Sequence, residues 1–301
     1  MENLEYHNPV LLKETVDGLN IKPDGVYVDV TFGGGGHSRE ILSRLGEGGK
    51  LFAFDQDPDA KQNVIDDKRF TLIPENFKFL KQFLRFYGHK TVDGVLGDFG
   101  VSSHQFDVAE RGFSTRFDSK LDMRMNQKEK ISAYEVINGY AEEQLRSMFY
   151  QYGELKNSPK LARVIVEERV NGPIETGDQL KELLMPHLFK NREFKILAQI
   201  YQAIRIEVNQ EIEVLKDFLQ QTENVLEKGG RISLISYHSL EDRLVKRYIR
   251  NGLFEGEPEK DMFGRMTVPF KKVGKLIVPT AEEIKVNNRA RSAKLRIGEK
   301  L

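Results

Sequence analysis

Along the first hundred or so residues, short apolar runs alternate with longer stretches of mixed character. Val26-Tyr-Val-Asp-Val30, Leu51-Phe-Ala-Phe54, Phe70-Thr-Leu-Ile73 and Val92-Asp-Gly-Val-Leu96 are β-branched, aromatic or leucine-containing runs of strand length. Each is followed by a segment of helical length and pattern, the first helix being expected from about Ser38. Strands that alternate with helices imply an α/β fold with a parallel sheet covered on both faces. A fifth run, Arg231-Ile-Ser-Leu-Ile-Ser236, comes only after a gap far too long for one crossover. Within the gap, Ala141-Glu-Glu-Gln-Leu-Arg-Ser-Met-Phe-Tyr150, Leu161-Ala-Arg-Val-Ile-Val-Glu-Glu-Arg169 and Leu180-Lys-Glu-Leu-Leu184 carry apolar residues at spacings of three and four. These segments predict helices, and 194–228 predicts one or two more that return to the sheet through a turn at Gly229-Gly230. The expected organisation is a core of residues 1–105 and 205–301 interrupted by an inserted helical domain, 106–204. Leu276-Ile-Val-Pro279 and Ala293-Lys-Leu-Arg-Ile297 predict added edge strands, since proline is tolerated at an edge.

Composition narrows the class without naming a chemistry. The chain has 301 residues, 46 basic and 46 acidic, with 39% hydrophobic residues, so it can bury a full core and carries no global polyanion signal. Residues 241–301 are the exception, with 15 Lys/Arg against 9 Asp/Glu. Arg243-Leu-Val-Lys-Arg-Tyr-Ile-Arg250 and Arg289-Ala-Arg-Ser-Ala-Lys-Leu-Arg296 interleave that charge with apolar residues. Such a tail is either a phosphate-binding footprint or an ordinary solvated helix face and edge strand. With no cysteine there are no disulfides, thiolate metal sites or cysteine nucleophiles, and the six histidines form no sequence cluster, so no metal is expected. Neither a signal peptide nor a membrane span is expected, and the cytoplasm is the simplest location.

Chemistry concentrates in Asp29-Val-Thr-Phe-Gly33-Gly-Gly-Gly36-His37-Ser38, where four glycines follow a strand and precede a helix. Glycine permits positive φ and close approach of a ligand to the backbone. Asp55, at the end of the next strand, is placed to accept both ribose hydroxyls of an adenosine. Strand, turn, helix, strand and acid in this order point to a nucleoside cofactor. Asp29, just before the turn, favours a cationic amino-acid moiety over a pyrophosphate, and the missing Lys-Ser/Thr excludes a triphosphate loop. S-adenosylmethionine is therefore preferred to NAD. Asp98, at the end of the fourth strand, faces the same pocket by this topology, with a cap as its plain alternative.

These segments resemble the bacterial 16S ribosomal RNA (cytosine-N4)-methyltransferases. The likeness runs through His7-Asn-Pro-Val-Leu-Leu12, the Thr31-Phe-Gly-Gly-Gly-Gly-His-Ser38 turn, Asp55-Gln-Asp-Pro58, Asp98-Phe-Gly-Val-Ser-Ser103 and Glu110-Arg-Gly-Phe-Ser114. It continues through Leu121-Asp-Met-Arg-Met125, Tyr201-Gln-Ala-Ile-Arg205, Ile235-Ser-Tyr-His-Ser-Leu-Glu-Asp-Arg243 and Asn288-Arg-Ala-Arg-Ser292. The resemblance implies a class I, Rossmann-like methyltransferase sheet with an inserted all-helical, substrate-recognising domain. It also implies cofactor contacts at Gly35, Gly36, His37, Asp55, Phe77, Asp98 and Gln105, with 16S ribosomal RNA in the small subunit as partner. Three places depart from the family pattern. Gly97 replaces a bulky apolar residue, which is expected to loosen packing behind the pocket; Gln199 replaces an arginine; and Asn157-Ser-Pro-Lys160 replaces an aromatic and basic stretch.

An exocyclic amine is a poor nucleophile because its lone pair is shared with the ring, so a hydrogen-bond acceptor is needed at the reacting end of the pocket, and Asp98 is the catalytic candidate. His238, after the fifth strand, is expected to line the pocket or to cap the helix that follows. Ser236, His238 and Asp242 stand close in sequence but make a poor hydrolase triad, whose members meet in space from separate elements. Two other classes stay open: an NAD(P)-dependent oxidoreductase, and a non-catalytic nucleoside-binding assembly factor. A homodimer is compatible with the sequence but not derivable from it.

Overall fold

In the computed structural model the described residues are 9–260, 262–263 and 266–301, so the first two residues of the His7–Leu12 motif lie outside them. The chain divides into two compact units, one running to Gly100 and resuming at Ile212, the other spanning Val101–Glu211. Among the described residues no helix is long and apolar enough to cross a membrane.

The first unit is built on a sheet of seven strands among the described residues. These are β1 (Val26–Asp29), β2 (Lys50–Phe54), β3 (Phe70–Ile73), β4 (Val92–Asp98), β5 (Leu226–Ser236), β6 (Phe270–Ile277) and β7 (Lys294–Lys300), in the order β3-β2-β1-β4-β5-β7-β6. The strands from β3 across to β5 are parallel, and β7 runs antiparallel to both β5 and β6. The helices of the chain are, in order, α1 (Leu12–Gly18), α2 (Gly36–Arg44), α3 (Leu80–Phe86), α4 (Ser103–Asp107), α5 (Ala133–Gly139) and α6 (Glu142–Gln151). They continue with α7 (Ser158–Glu168), α8 (Gly177–Leu184), α9 (Glu193–Asn209), α10 (Glu211–Val225), α11 (Ser239–Asn251) and α12 (Ala281–Val286).

Period-two alternation sorts the strand residues between two apolar faces. Tyr27, Leu51 and Leu96 pack with Val16 of α1 and Ile41 of α2. Their neighbours Val28, Phe52 and Val95 point the other way, onto Leu84 of α3, Phe218 of α10 and Tyr248 of α11. This is the expected doubly covered sheet. The strand order reverses at β1, which has β2 and β3 on one side and β4 and β5 on the other. Crossovers leaving β1 and β4 therefore diverge, and a crevice opens at the carboxyl ends of those two strands.

Several elements differ from the sequence expectation. The β2–β3 link holds a 3-10 turn, Pro58–Asn63, instead of an α-helix, because Pro58 and the Asp57 cap favour a short start. The pair Gly229-Gly230 lies inside β5 and makes no turn there: Val92 pairs with Leu226 but Gly94 with Arg231, so β5 bulges between them. Gly229 sits at φ +80, and a Cβ on Gly230 would fall 2.9 Å from the Asp93 carbonyl oxygen, so the bulge needs both glycines. β6 starts six residues before Leu276, and β7 is interior, with Leu295 and Ile297 buried. The 194–228 stretch agrees with the expectation of one or two helices: it forms two, divided at Gln210, whose φ of 51 no glycine or proline announces.

The second unit is helical and has its own core. Leu145 and Phe149 of α6, Leu161 and Ile165 of α7, Leu180 and Leu184 of α8, and Ile196, Ile200 and Ile204 of α9 are all buried in it. Each set recurs every four residues, which places it on one helix face. Capping boxes start α5, through Ser132 and Glu135, and α8, through Thr176 and Gln179.

Candidate active site

The turn after β1 is held by side chains that leave its glycine surface open. Gly33 and Gly35 take φ of +49 and +76. A Cβ on Gly33 would meet nothing nearer than the Thr31 carbonyl oxygen at 4.0 Å, so this glycine fronts open space. A Cβ on Gly35 would instead come within 2.9 Å of the Phe32 ring, and one on Gly36 would overlap the Pro9 ring. Asp55, at the end of β2, accepts the Gly33 N–H at 2.7 Å through one carboxylate oxygen and the Asp57 N–H at 2.8 Å through the other. Asn63 donates to the Gly33 carbonyl and Arg39 to that of Gly34. The predicted ribose acceptor thus also fixes the turn to the neighbouring strand.

Asp29 does not meet its expected position facing a ligand. It is fully buried; one oxygen accepts from the Ser38 hydroxyl at 2.7 Å and the other from the Thr31 N–H at 3.0 Å. Its charge acts from behind the turn, and burial pushes its carboxyl above the usual aspartate range.

Asp98 ends β4 across the crevice. Its main-chain N–H donates to the Thr31 hydroxyl oxygen at 2.6 Å, which ties the ends of β1 and β4 together. Its side chain is 22% exposed, with Oδ1 accepting from the Tyr237 hydroxyl at 2.8 Å and Oδ2 standing 3.9 Å from Nδ1 of His37. The other His37 nitrogen, Nε2, lies 3.1 Å from the Val10 carbonyl oxygen. Burial pushes both Asp55 and Asp98 up to about 6, and the charge of Asp29 adds to the effect in each. Burial and the charge of Asp98 drive Tyr237 well above its ordinary value, so the phenol stays a proton donor. Among the described residues no lysine or arginine is bonded to Asp29, Asp55 or Asp98. Asp55 and Asp98, with Asp29 behind the turn and no lysine or arginine among them, make the crevice suited to a positively charged ligand and hostile to a pyrophosphate.

Phe77 follows β3, half-buried, with its ring 6.0 Å from Phe99 and 5.4 Å from Phe218. The structure therefore brings Gly35, Gly36, His37, Asp55, Phe77 and Asp98 into one unit. Gln105 belongs to the other; it is buried on α4 and closes a capping box with Ser102. His238 caps α11, its Nδ1 accepting from the Glu241 N–H, while Tyr237 is the residue that reaches Asp98. Sequence reasoning missed Tyr237 because a phenol beside a histidine draws attention to the histidine.

A sequence model of the MraW methylase family matches residues 5–301. The chain belongs to this family. It is 76% identical over 298 residues to the ribosomal RNA small subunit methyltransferase H of Christiangramia forsetii, covering 99% of both chains. Proteins of the same name from Flavobacterium johnsoniae and Bacteroides fragilis are 69% identical over 298 residues and 56% over 300, again covering 99% of each chain. The seven-stranded sheet is accordingly the class I, Rossmann-like methyltransferase sheet. A methylase family, the glycine turn and the cation-seeking crevice together identify S-adenosylmethionine as the cofactor.

The departures from the family pattern acquire local explanations. Packing behind Gly97 is not loosened, contrary to expectation. A Cβ there would stand 3.0 Å from the Phe99 ring and 3.2 Å from Leu234, so Phe99 fills the space that a larger residue would take. Gln199 donates to the Gly153 carbonyl at 3.0 Å, and Asn157-Ser-Pro-Lys160 opens α7 with proline in its first turn.

Proposed function

We propose that this protein transfers a methyl group from S-adenosylmethionine to the exocyclic N4 amine of a cytidine in the decoding region of 16S ribosomal RNA. The observation that carries it is the placing of Asp98, held by Tyr237, across the β1/β4 crevice from an open glycine turn, in a chain of the methylase family. The fit to the cofactor rests on the space over Gly33 and on Asp55 and Asp98, to which no lysine or arginine is bonded among the described residues. When bound, S-adenosylmethionine supplies a methyl group on a sulfonium, with a good leaving group.

The chain's residues divide the remaining work. Gly35, Gly36 and His37 contribute the surface of the turn against which the amino-acid end lies. Asp55 keeps lone pairs free beyond its two amide contacts and receives the ribose hydroxyls, whose donation favours its charged form. Phe77 offers an apolar face to adenine. Asp98 accepts a hydrogen bond from the N4 amine through Oδ2, turns the nitrogen lone pair toward the methyl group and takes up the amine proton. Tyr237 holds the other oxygen and orients the carboxylate. The base must leave its stack to reach this depth, so the substrate is a loop or a flipped nucleotide. The helical unit and the basic carboxyl-terminal segment dock the RNA, within the small subunit.

Incubation with methyl-labelled donor and either naked 16S RNA or small subunits, followed by location of the labelled base, tests this directly. Label on N4 of a decoding-region cytidine is expected, and label elsewhere or none overturns it.

A further inference from the structure

Part of the positive charge in residues 241–301 is neutralised locally: Lys294 and Arg296 both pair with Asp242, and Lys271 pairs with Glu299, while Arg247 and Lys300 donate to the carbonyls of Gly256 and Glu223. Lys246 and Arg250 on α11, and Lys272 and Lys275 on β6, are exposed and make no ion pair or hydrogen bond among the described residues. These four line one groove of about 280 Å³ between α11 and the edge strand.

The local structure converges them. Lys246 and Arg250 are four apart and share a helix face. Lys272 and Lys275 are three apart, which on a regular strand would put them on opposite faces. The register of β6 shifts between Val273 and Ile277, where Gly274 takes φ +66, and both lysines then line the groove. Ile249, Val273, Leu276 and Ile297 form the apolar surface between them, and Leu276 is 39% exposed.

We propose that this groove is a docking surface for one RNA strand, the four cations contacting phosphates and the apolar surface contacting sugars or bases. This rests on the RNA methylation proposed above. Four unpaired cations around an apolar floor are complementary to a flexible polyanion that carries flat apolar groups. Placement agrees: β6 runs in the same direction as β4 and lies three strand steps from it, roughly 14 Å at the usual spacing. The carboxyl end of β6 therefore lies on the crevice edge of the sheet, within a few nucleotides of Asp98. Lysines on an edge strand also discourage edge-to-edge pairing, but that role needs no contribution from α11.

The test compares the full-length protein with a variant carrying Lys246→Gln, Arg250→Gln, Lys272→Gln and Lys275→Gln. A control carries Lys78→Gln, Lys81→Gln and Arg85→Gln on the α3 side of the same unit. Binding to a single-stranded oligonucleotide of the 16S decoding region is followed by fluorescence anisotropy across a salt series. Losing four phosphate contacts reduces the slope of log affinity against log salt by about 3, so the affinity change between roughly 50 and 200 mM salt shrinks by about 50-fold. S-adenosylhomocysteine binding is expected to be unchanged in both variants, which shows that the fold is intact. The inference is overturned by an unchanged slope, by an equal loss per charge in the control, or by self-association of the variant with RNA affinity intact. It is also overturned if the four changes abolish capture of a polyglutamate peptide while sparing RNA. Failure of the wild type to methylate 16S RNA or subunits refutes the activity instead, and is read in a separate assay.

Discussion

Asp98 carries its charge against burial and against Asp29, with Tyr237 and His37 as the stabilising neighbours. In the proposed mechanism its ionised form accepts the amine proton, so kcat/KM for the methyl donor should fall as pH drops through about 6. Asp98→Asn is expected to lower kcat by about 10²- to 10⁴-fold with little change in RNA affinity, as single-turnover and binding assays can determine. Normal turnover at saturating donor and RNA would refute the catalytic role. The Tyr237 hydroxyl favours the carboxylate, so Tyr237→Phe removes a lowering influence and should move the acid limb to higher pH; a purely structural phenol would leave the limb in place. Stability responds with the opposite sense. A raised folded-state pKa means that the ionised group destabilises the fold above about 6 and ceases to do so below its unfolded value. Ligand-free Asp98→Asn should therefore melt at a higher temperature than the wild type near pH 7.5, and the gap should narrow as pH falls toward about 5.

Elements that follow from local pattern were legible, and those that depend on a neighbour were not. The four strands of the first hundred residues and the helices holding Leu145, Leu161 and Leu180 follow from periodicity alone, because each repeats its apolar residues at its own period. Gly229-Gly230 was misread as a turn because the same glycines serve a bulge, and only pairing with β4 distinguishes the two. The break at Gln210 and the early start of β6 likewise have no residue signal of their own. Gly97 shows the same dependence: the missing side chain is compensated by Phe99, two residues on in sequence and folded back over it. Gly97→Leu is expected to clash with that ring and destabilise the protein by about 1–3 kcal/mol, measured by denaturant unfolding. The double change Gly97→Leu with Phe99→Ala should recover part of the loss.

Across the whole molecule, the proposed cofactor site has the carboxyls of the first unit take up a cation and release protons in doing so. With Asp55 and Asp98 near 6, S-adenosylmethionine shifts both toward the ionised form, so its affinity should rise as pH increases through about 6. Calorimetry at about pH 6 in buffers of different ionisation enthalpy should register proton release on binding. Saturating ligand at about 100 times its Kd should stabilise the protein by about 2.7 kcal/mol, while NAD at the same concentration leaves the melting temperature unchanged. A shift with NAD would revive the oxidoreductase alternative. What the sequence determined by itself was the sheet-forming runs, the glycine turn and the placing of Asp55 and Asp98 at strand ends, because these depend on local period and on the special conformations of glycine. What only the tertiary structure decided was the use of each group: Asp29 turned inward to Ser38, Tyr237 brought to Asp98 from 139 residues away, and four exposed cations gathered around one groove. Contacts of that kind lie between residues distant in sequence, and no periodicity along a single chain encodes them.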